Sequence, residues 1–138
     1  MNLDLVIPLF VQVAMTILLI FVTGGARYFA VKSGEVKVKE IVLGQRAWPK
    51  KLQQLGNTLN NQWETPILFY AGIGFALILG SQSPWLVPLA WAWIGLRLLH
   101  AVIYISVNHL LFRFLAFACS VLALTGFWVA LALEFLTR

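Results

Sequence analysis

The sequence predicts an all-α integral membrane protein, a four-helix bundle, and three observations carry that prediction. Of 138 residues, 61% are hydrophobic and 11% are charged, whereas a soluble domain is about one-quarter charged. The apolar residues fall into four blocks, each near or above the roughly 20 residues that cross a ~30 Å hydrocarbon layer as a helix. The charges are as unevenly placed: six of the ten Lys and Arg lie between Lys32 and Lys51.

The chain begins MNLDLVIPLF, without the basic start of a secretory signal and with an apolar run too long for one. It reads as a retained first span over residues 5–29. Pro8 sits near its start, where a proline costs a helix least, and TGGARYF brings Arg27 to the water boundary. Residues 30–60 read as a charged cytoplasmic loop. Within it, EVKVKEIVL alternates weakly, as a short extended piece would, and LQQLGNTLNNQWE is a polar helical lead-in to the next span.

The second span covers residues 61–80, where Gly72, Ala76 and Gly80 form a stripe of small side chains. Such stripes allow helices to approach closely in lipid. The uncharged turn SQSP leads to a third span over residues 84–107, whose Trp85 suits the membrane interface. NHLLFR then connects to the fourth span, residues 110–136. The lone Cys119 cannot form an intramolecular disulfide and reads as a small buried hydrophobe. No metal is expected, because no Cys/His cluster has ligand spacing.

Basic residues near span ends mark the cytoplasmic side. The loop after the first span and the connection holding Arg113 carry them, while the 81–84 turn carries none. Both termini are therefore expected outside the cytoplasm. The net charge of +5 does not indicate nucleic acid, since the cations flank membrane helices with no interleaved aromatic residue until Trp48. That arrangement suits anionic lipid headgroups. With no organelle address, the expected location is a bacterial inner membrane.

The third span holds the chemistry. In GLRLLHAVIYISVNHLLFR, residues 95–113, Arg97, His100, Tyr104 and Asn108 recur at spacings of three, four and four. Those spacings place them on one stripe of a helix. Lipid cannot satisfy such groups, so the stripe must face the bundle, another subunit or a wet cavity. Arg27, the Asn61/Glu64 pair and Arg113 fall at the same end of their spans, which defines a polar layer in the cytoplasmic leaflet. Glu64 pairing with Arg97 or Arg27 would lock the bundle. One carboxylate cannot neutralise three arginines, however, and the surplus favours an anionic ligand, for which arginine's planar fork is suited.

These residues resemble the membrane-associated eicosanoid and glutathione metabolism family, MAPEG. The third span carries the family's Arg-x-x-His-x-x-x-Tyr pattern as Arg97, His100 and Tyr104, with Arg113 nine residues later. Asn61, Glu64 and Pro66 match its Asn-x-x-Glu with following proline, and Gly24 and Arg27 match its Gly-x-x-Arg. The resemblance implies a homotrimer that binds glutathione between subunits at the cytoplasmic side. Arg27, Asn61, Glu64, Arg97, His100 and Tyr104 would hold the cofactor, and Arg113 would be the catalytic residue that stabilises its thiolate. Asn57 and Asn60 stand where glutathione-using members carry arginines.

Two functions follow as expectations. The first is a glutathione-dependent transferase or peroxidase acting on lipophilic electrophiles or hydroperoxides dissolved in membrane lipid. The alternative is a non-catalytic membrane module of the same fold that binds a lipid or an anion.

Overall fold

The computed structural model describes residues 3–42 and 48–137. Arg46 and Arg138, two of the cations counted for orientation, lie outside the described residues, as does Leu43 at the end of the alternating EVKVKEIVL stretch. Among the described residues every regular element is helical. A 3-10 turn at Leu3–Leu5 leads into α1 (Val6–Lys32), followed by a single turn, α2 (Val38–Ile41), and then α3 (Lys50–Asn60), α4 (Thr65–Ile78), α5 (Leu86–Ile105) and α6 (Leu110–Leu136). The short extended piece expected near Val38 is thus helical instead: Glu40 N–H bonds the Lys37 carbonyl in a local turn, and no neighbouring strand is present to pair with it.

Among the described residues, three helices are long and apolar enough to cross a membrane: the Leu3–Lys32 run, α5 and α6. The expected second span is built differently. At about 1.5 Å per residue, the 14-residue α4 reaches only about 21 Å. Pro66 explains the shortness. It has no N–H to give the Gln62 carbonyl, and its ring clashes with that carbonyl in a continuous helix. The chain therefore breaks after Asn60, turns through Asn61–Glu64 and restarts with Pro66 in the first turn of α4.

Upstream of this break, part of the expected loop is packed helix. Leu52 and Leu55 of α3 lie in a cluster with Ala26, Ala30 and Trp48, which seats α3 along α1. The opposite face of α3 carries Lys50, Gln54 and Asn57, as its 100° period requires.

An apolar core fills the other half of the molecule. Phe69 of α4 stacks on Trp93 of α5 with ring centroids 4.0 Å apart, and Phe127 of α6 closes on Phe69 at 6.5 Å. Of the glycine stripe, Gly72 behaves as expected: a Cβ there would meet Phe127 Cε1 at 3.0 Å. Ala76 is also buried. Gly80 has another role, ending α4 at a φ of +63°. Its N–H bonds the Leu77 carbonyl, and Ser81 N–H bonds the Ala76 carbonyl, the paired bonds of a left-handed helix stop.

The exposed surface is apolar, with Phe10, Phe21 and Leu122 facing outward, as lipid-facing helices require. Cys119 belongs to this surface and is exposed, which corrects its reading as a buried hydrophobe. The inward face of α1 is instead polar: Gln12, Thr16 and Thr23 are buried. Gln12 Nε2 donates to Gln62 Oε1 at 2.9 Å, and Gln62 Nε2 donates to the Thr58 carbonyl at 3.2 Å. This amide pair fastens α1 to the break between α3 and α4.

Candidate functional site

The break created by Pro66 begins the site. In an unbroken helix the Asn61 carbonyl would accept from Thr65 N–H. Here it accepts from Arg97 Nη2 at 2.5 Å. Arg97 is wholly buried, and its Nε and Nη1 have no hydrogen-bond partner among the described residues. Its guanidinium lies between the Trp93 and Phe117 rings, 6.0 and 5.9 Å from their centroids. It supports Asn61 from behind and takes no place in the cleft wall.

His100, one turn further along α5, ties three helices together. Its Nδ1 lies 2.9 Å from the Arg113 carbonyl, and its Nε2 lies 3.2 Å from Asn61 Nδ2. A carbonyl only accepts and an amide NH₂ only donates. His100 therefore donates from Nδ1 and accepts at Nε2, the tautomer these two partners select. Both ring nitrogens are occupied, so His100 fixes the Asn61 amide and the start of α6 and is not free to act as a base.

Arg113 stands in the first turn of α6. Its guanidinium lies over the Tyr104 ring, 4.1 Å from the centroid, within cation–π range. Its Nη1 donates to Asn108 Oδ1 at 2.7 Å. Asn108 was expected to continue the helical stripe. It lies instead in the α5–α6 turn with φ +49°, a left-handed conformation that asparagine tolerates. Its N–H bonds the Ile103 carbonyl at 2.7 Å, so the turn holds both Asn108 and the arginine it anchors.

Asn61, Glu64, His100, Tyr104 and Arg113 meet around one cleft of about 290 Å³, whose remaining wall is Leu110, Phe114 and Phe117. Among the described residues, the Glu64 carboxylate makes no ion pair or hydrogen bond, and the Tyr104 hydroxyl makes no hydrogen bond. The expected lock between Glu64 and Arg97 is not formed among the described residues; Arg97 Nη2 bonds the Asn61 carbonyl instead. The cleft thus combines one cation, one carboxylate, an amide and a phenol with an apolar side. That set complements a polar ligand carrying both positive and negative charge.

Arg27 does not reach this cleft within its own chain. It lies 15 positions beyond Gln12 on α1, about 22 Å along the helix, whereas Gln12 contacts Gln62 at the break. Its guanidinium covers Trp48 at 5.2 Å, and its Nε and Nη2 are buried without hydrogen-bond partners among the described residues. It also lies on the α1 side of α3, whereas the cleft lies toward α5.

Sequence reading missed Gln12 and Gln62. The signal was present in the one-turn spacing of Gln12 and Thr16, a polar face on an otherwise apolar helix. Lys51 was a further unassigned residue. Its Nζ donates to the Ile105 and Ser106 carbonyls at 3.4 and 3.2 Å, placing a cation at the negative end of α5.

Searches among curated proteins and among solved structures gave no significant match. The family model described as the MAPEG family matches residues 5–133, nearly the whole chain and all six helices from α1 to the greater part of α6. The chain therefore belongs to the MAPEG family.

Proposed function

We propose that this protein is a membrane-embedded, glutathione-dependent transferase or peroxidase acting on lipophilic electrophiles or hydroperoxides. The observation that carries the reading is the position of the Arg113 guanidinium. It is braced by Asn108, stacked on Tyr104 and set in a cleft that is polar on one side and apolar on the other. A nearby cation lowers a thiol's pKa and raises its nucleophilic fraction. Tyr104 presents a free hydroxyl to the same space, suited to donating toward sulfur.

Asn61, oriented by His100, and Glu64 supply acceptors for amide and ammonium groups of the peptide. Arg97 acts through Asn61 and is a positioning residue. Leu110, Phe114 and Phe117 give a lipid-soluble substrate an apolar approach. Bound glutathione would supply a thiolate that displaces a leaving group from an electrophile, or two thiols that reduce a hydroperoxide to alcohol and water with formation of a disulfide.

The same reading includes four membrane crossings, with α3 and α4 together forming the second. Their 29 positions, residues 50–78, correspond to about 43 Å of helix, enough to cross despite the break. It places the α5–α6 turn at the cytoplasmic face and both termini on the other side of a bacterial inner membrane. The reading also includes a homotrimer, whose subunit interface would give the buried N–H groups of Arg27 a partner.

Calorimetric titration of glutathione into detergent-purified protein, beside Arg113→Ala and Glu64→Ala, tests this reading. Saturable binding that weakens in both variants while the oligomer persists supports it, as does conjugation of glutathione to a lipophilic aryl halide. No binding at millimolar glutathione would leave the non-catalytic lipid- or anion-binding module, which the neutral Asn57 and Asn60 favour.

A further inference from the structure

A second recess, of about 190 Å³, adjoins the cleft and shares Tyr104 with it. Its lining is Lys50, Gln53, Gln54, Asn57, Tyr104 and Asn108. The polar face of α3 supplies the first four, since residues 50, 53, 54 and 57 recur at helical spacing. The same face continues through Asn61 and Glu64, so one ligand lying along it would span both spaces.

The recess has a defined chemistry. It offers a single cation, Lys50, at an exposed position, and four amides, of which Asn108 is already bonded to Arg113. Gln54 Oε1 is buried with no hydrogen-bond partner among the described residues. A buried acceptor left unpaired forfeits the hydrogen bond it would make to water, so the recess favours a group that brings a donor. A carboxylate brings none, and beside a buried carbonyl oxygen it adds repulsion. Lys51, the other cation nearby, is already committed to the end of α5.

We infer that this recess receives a hydrogen-bond-donating arm of the thiol ligand, an amide or hydroxyl group, and that Gln54 and Asn57 set that preference over a carboxylate. The inference rests on the thiol-binding reading of the adjoining cleft and specifies the ligand class. Such a thiol carries its negative charge at the Arg113 end and a neutral polar group at the α3 end.

Titration calorimetry on the intact protein in detergent tests this, using glutathione and its two monoamides, each with one carboxylate replaced by a carboxamide. One monoamide is expected to bind within threefold of glutathione or more tightly. Asn57→Arg, which adds a cation to the recess, is expected to reverse the order at least tenfold in favour of glutathione. If both monoamides bind the unaltered protein more than threefold more weakly than glutathione, the recess demands a carboxylate. The inference is then overturned while the thiol reading stands. An order unaffected by Asn57→Arg would place the arm elsewhere and overturn it equally. If no probe binds either form, the thiol reading itself falls and takes the inference with it.

Discussion

Two carboxylates lie at the ends of the apolar helices, Glu64 before α4 and Glu134 near the end of α6, and their surroundings are opposite. Glu134 accepts a hydrogen bond from the Ser81 hydroxyl, from Gln82 N–H at 2.8 Å and from Ser83 N–H at 3.3 Å. It holds the second half of the α4–α5 turn: Gly80 and Ser81 N–H are taken by α4 carbonyls, whereas Gln82 and Ser83 N–H are taken by Glu134. Glu64 is exposed to its cleft and makes no hydrogen bond or ion pair among the described residues. A satisfied carboxylate is structural, whereas one left open beside an arginine, a phenol and an amide is available to a ligand. The comparison separates the end of the bundle that maintains the fold from the end that leaves polar groups open to a ligand.

The largest expected effect comes from the cation facing Glu64 across the cleft. Arg113→Ala should lower thiol conjugation by roughly 10²–10³-fold, the usual cost of removing one group aimed at developing negative charge. Size-exclusion chromatography should show an unchanged oligomer. Conjugation that survives the substitution would remove Arg113 from the chemistry.

Glu134→Ala should act only on the fold. It strips one hydroxyl and two backbone donors of their acceptor, at about 1–3 kcal/mol for each group left buried and unsatisfied. The midpoint of thermal unfolding in detergent should fall by several degrees, while the affinity of the remaining folded protein for glutathione is unchanged. Weaker binding at equal stability would show that the two ends are coupled.

The mirror image is Glu64→Gln, expected to weaken glutathione binding about tenfold, the scale of one charge-assisted hydrogen bond, with the unfolding midpoint unmoved. A large drop in that midpoint would reveal a partner for Glu64 in a neighbouring subunit and return it to the structural class.

The smallest effect sharpens the packing side of the comparison. Gly72→Ala places a methyl group 3.0 Å from Phe127 Cε1, and overpacking of this kind costs about 1–3 kcal/mol. The lower part of that range is expected, because one aromatic ring can shift. Unfolding of the detergent-solubilised variant measures it, and a gain in stability would mean that the α4–α6 contact has room to spare.

Much of this organisation is legible in the sequence because lipid is an unforgiving solvent. Apolar runs of span length predict α1, α5 and α6 to within a few residues, and α6 coincides with its predicted range of residues 110–136. The Arg97, His100 and Tyr104 spacing predicts a polar face, and the structure finds Arg97 and His100 buried and Tyr104 at the cleft. The resemblance carried by these residues agrees with the match to the MAPEG family over residues 5–133.

The sequence by itself determined that the chain enters a membrane and that its helices carry a polar seam. Those properties follow from composition and periodicity, both of them local, whereas the break at Pro66 emerged with the structure. Only the tertiary structure decided which groups meet. It gave the carbonyl freed by Pro66 to Arg97 and set Glu64 in the cleft wall. It occupied both nitrogens of His100, placed Asn108 in a turn where it braces Arg113, and kept Arg27 away from its own cleft. Each outcome depends on which donor reaches which acceptor across separate helices, and helical spacing along one chain does not contain that distance.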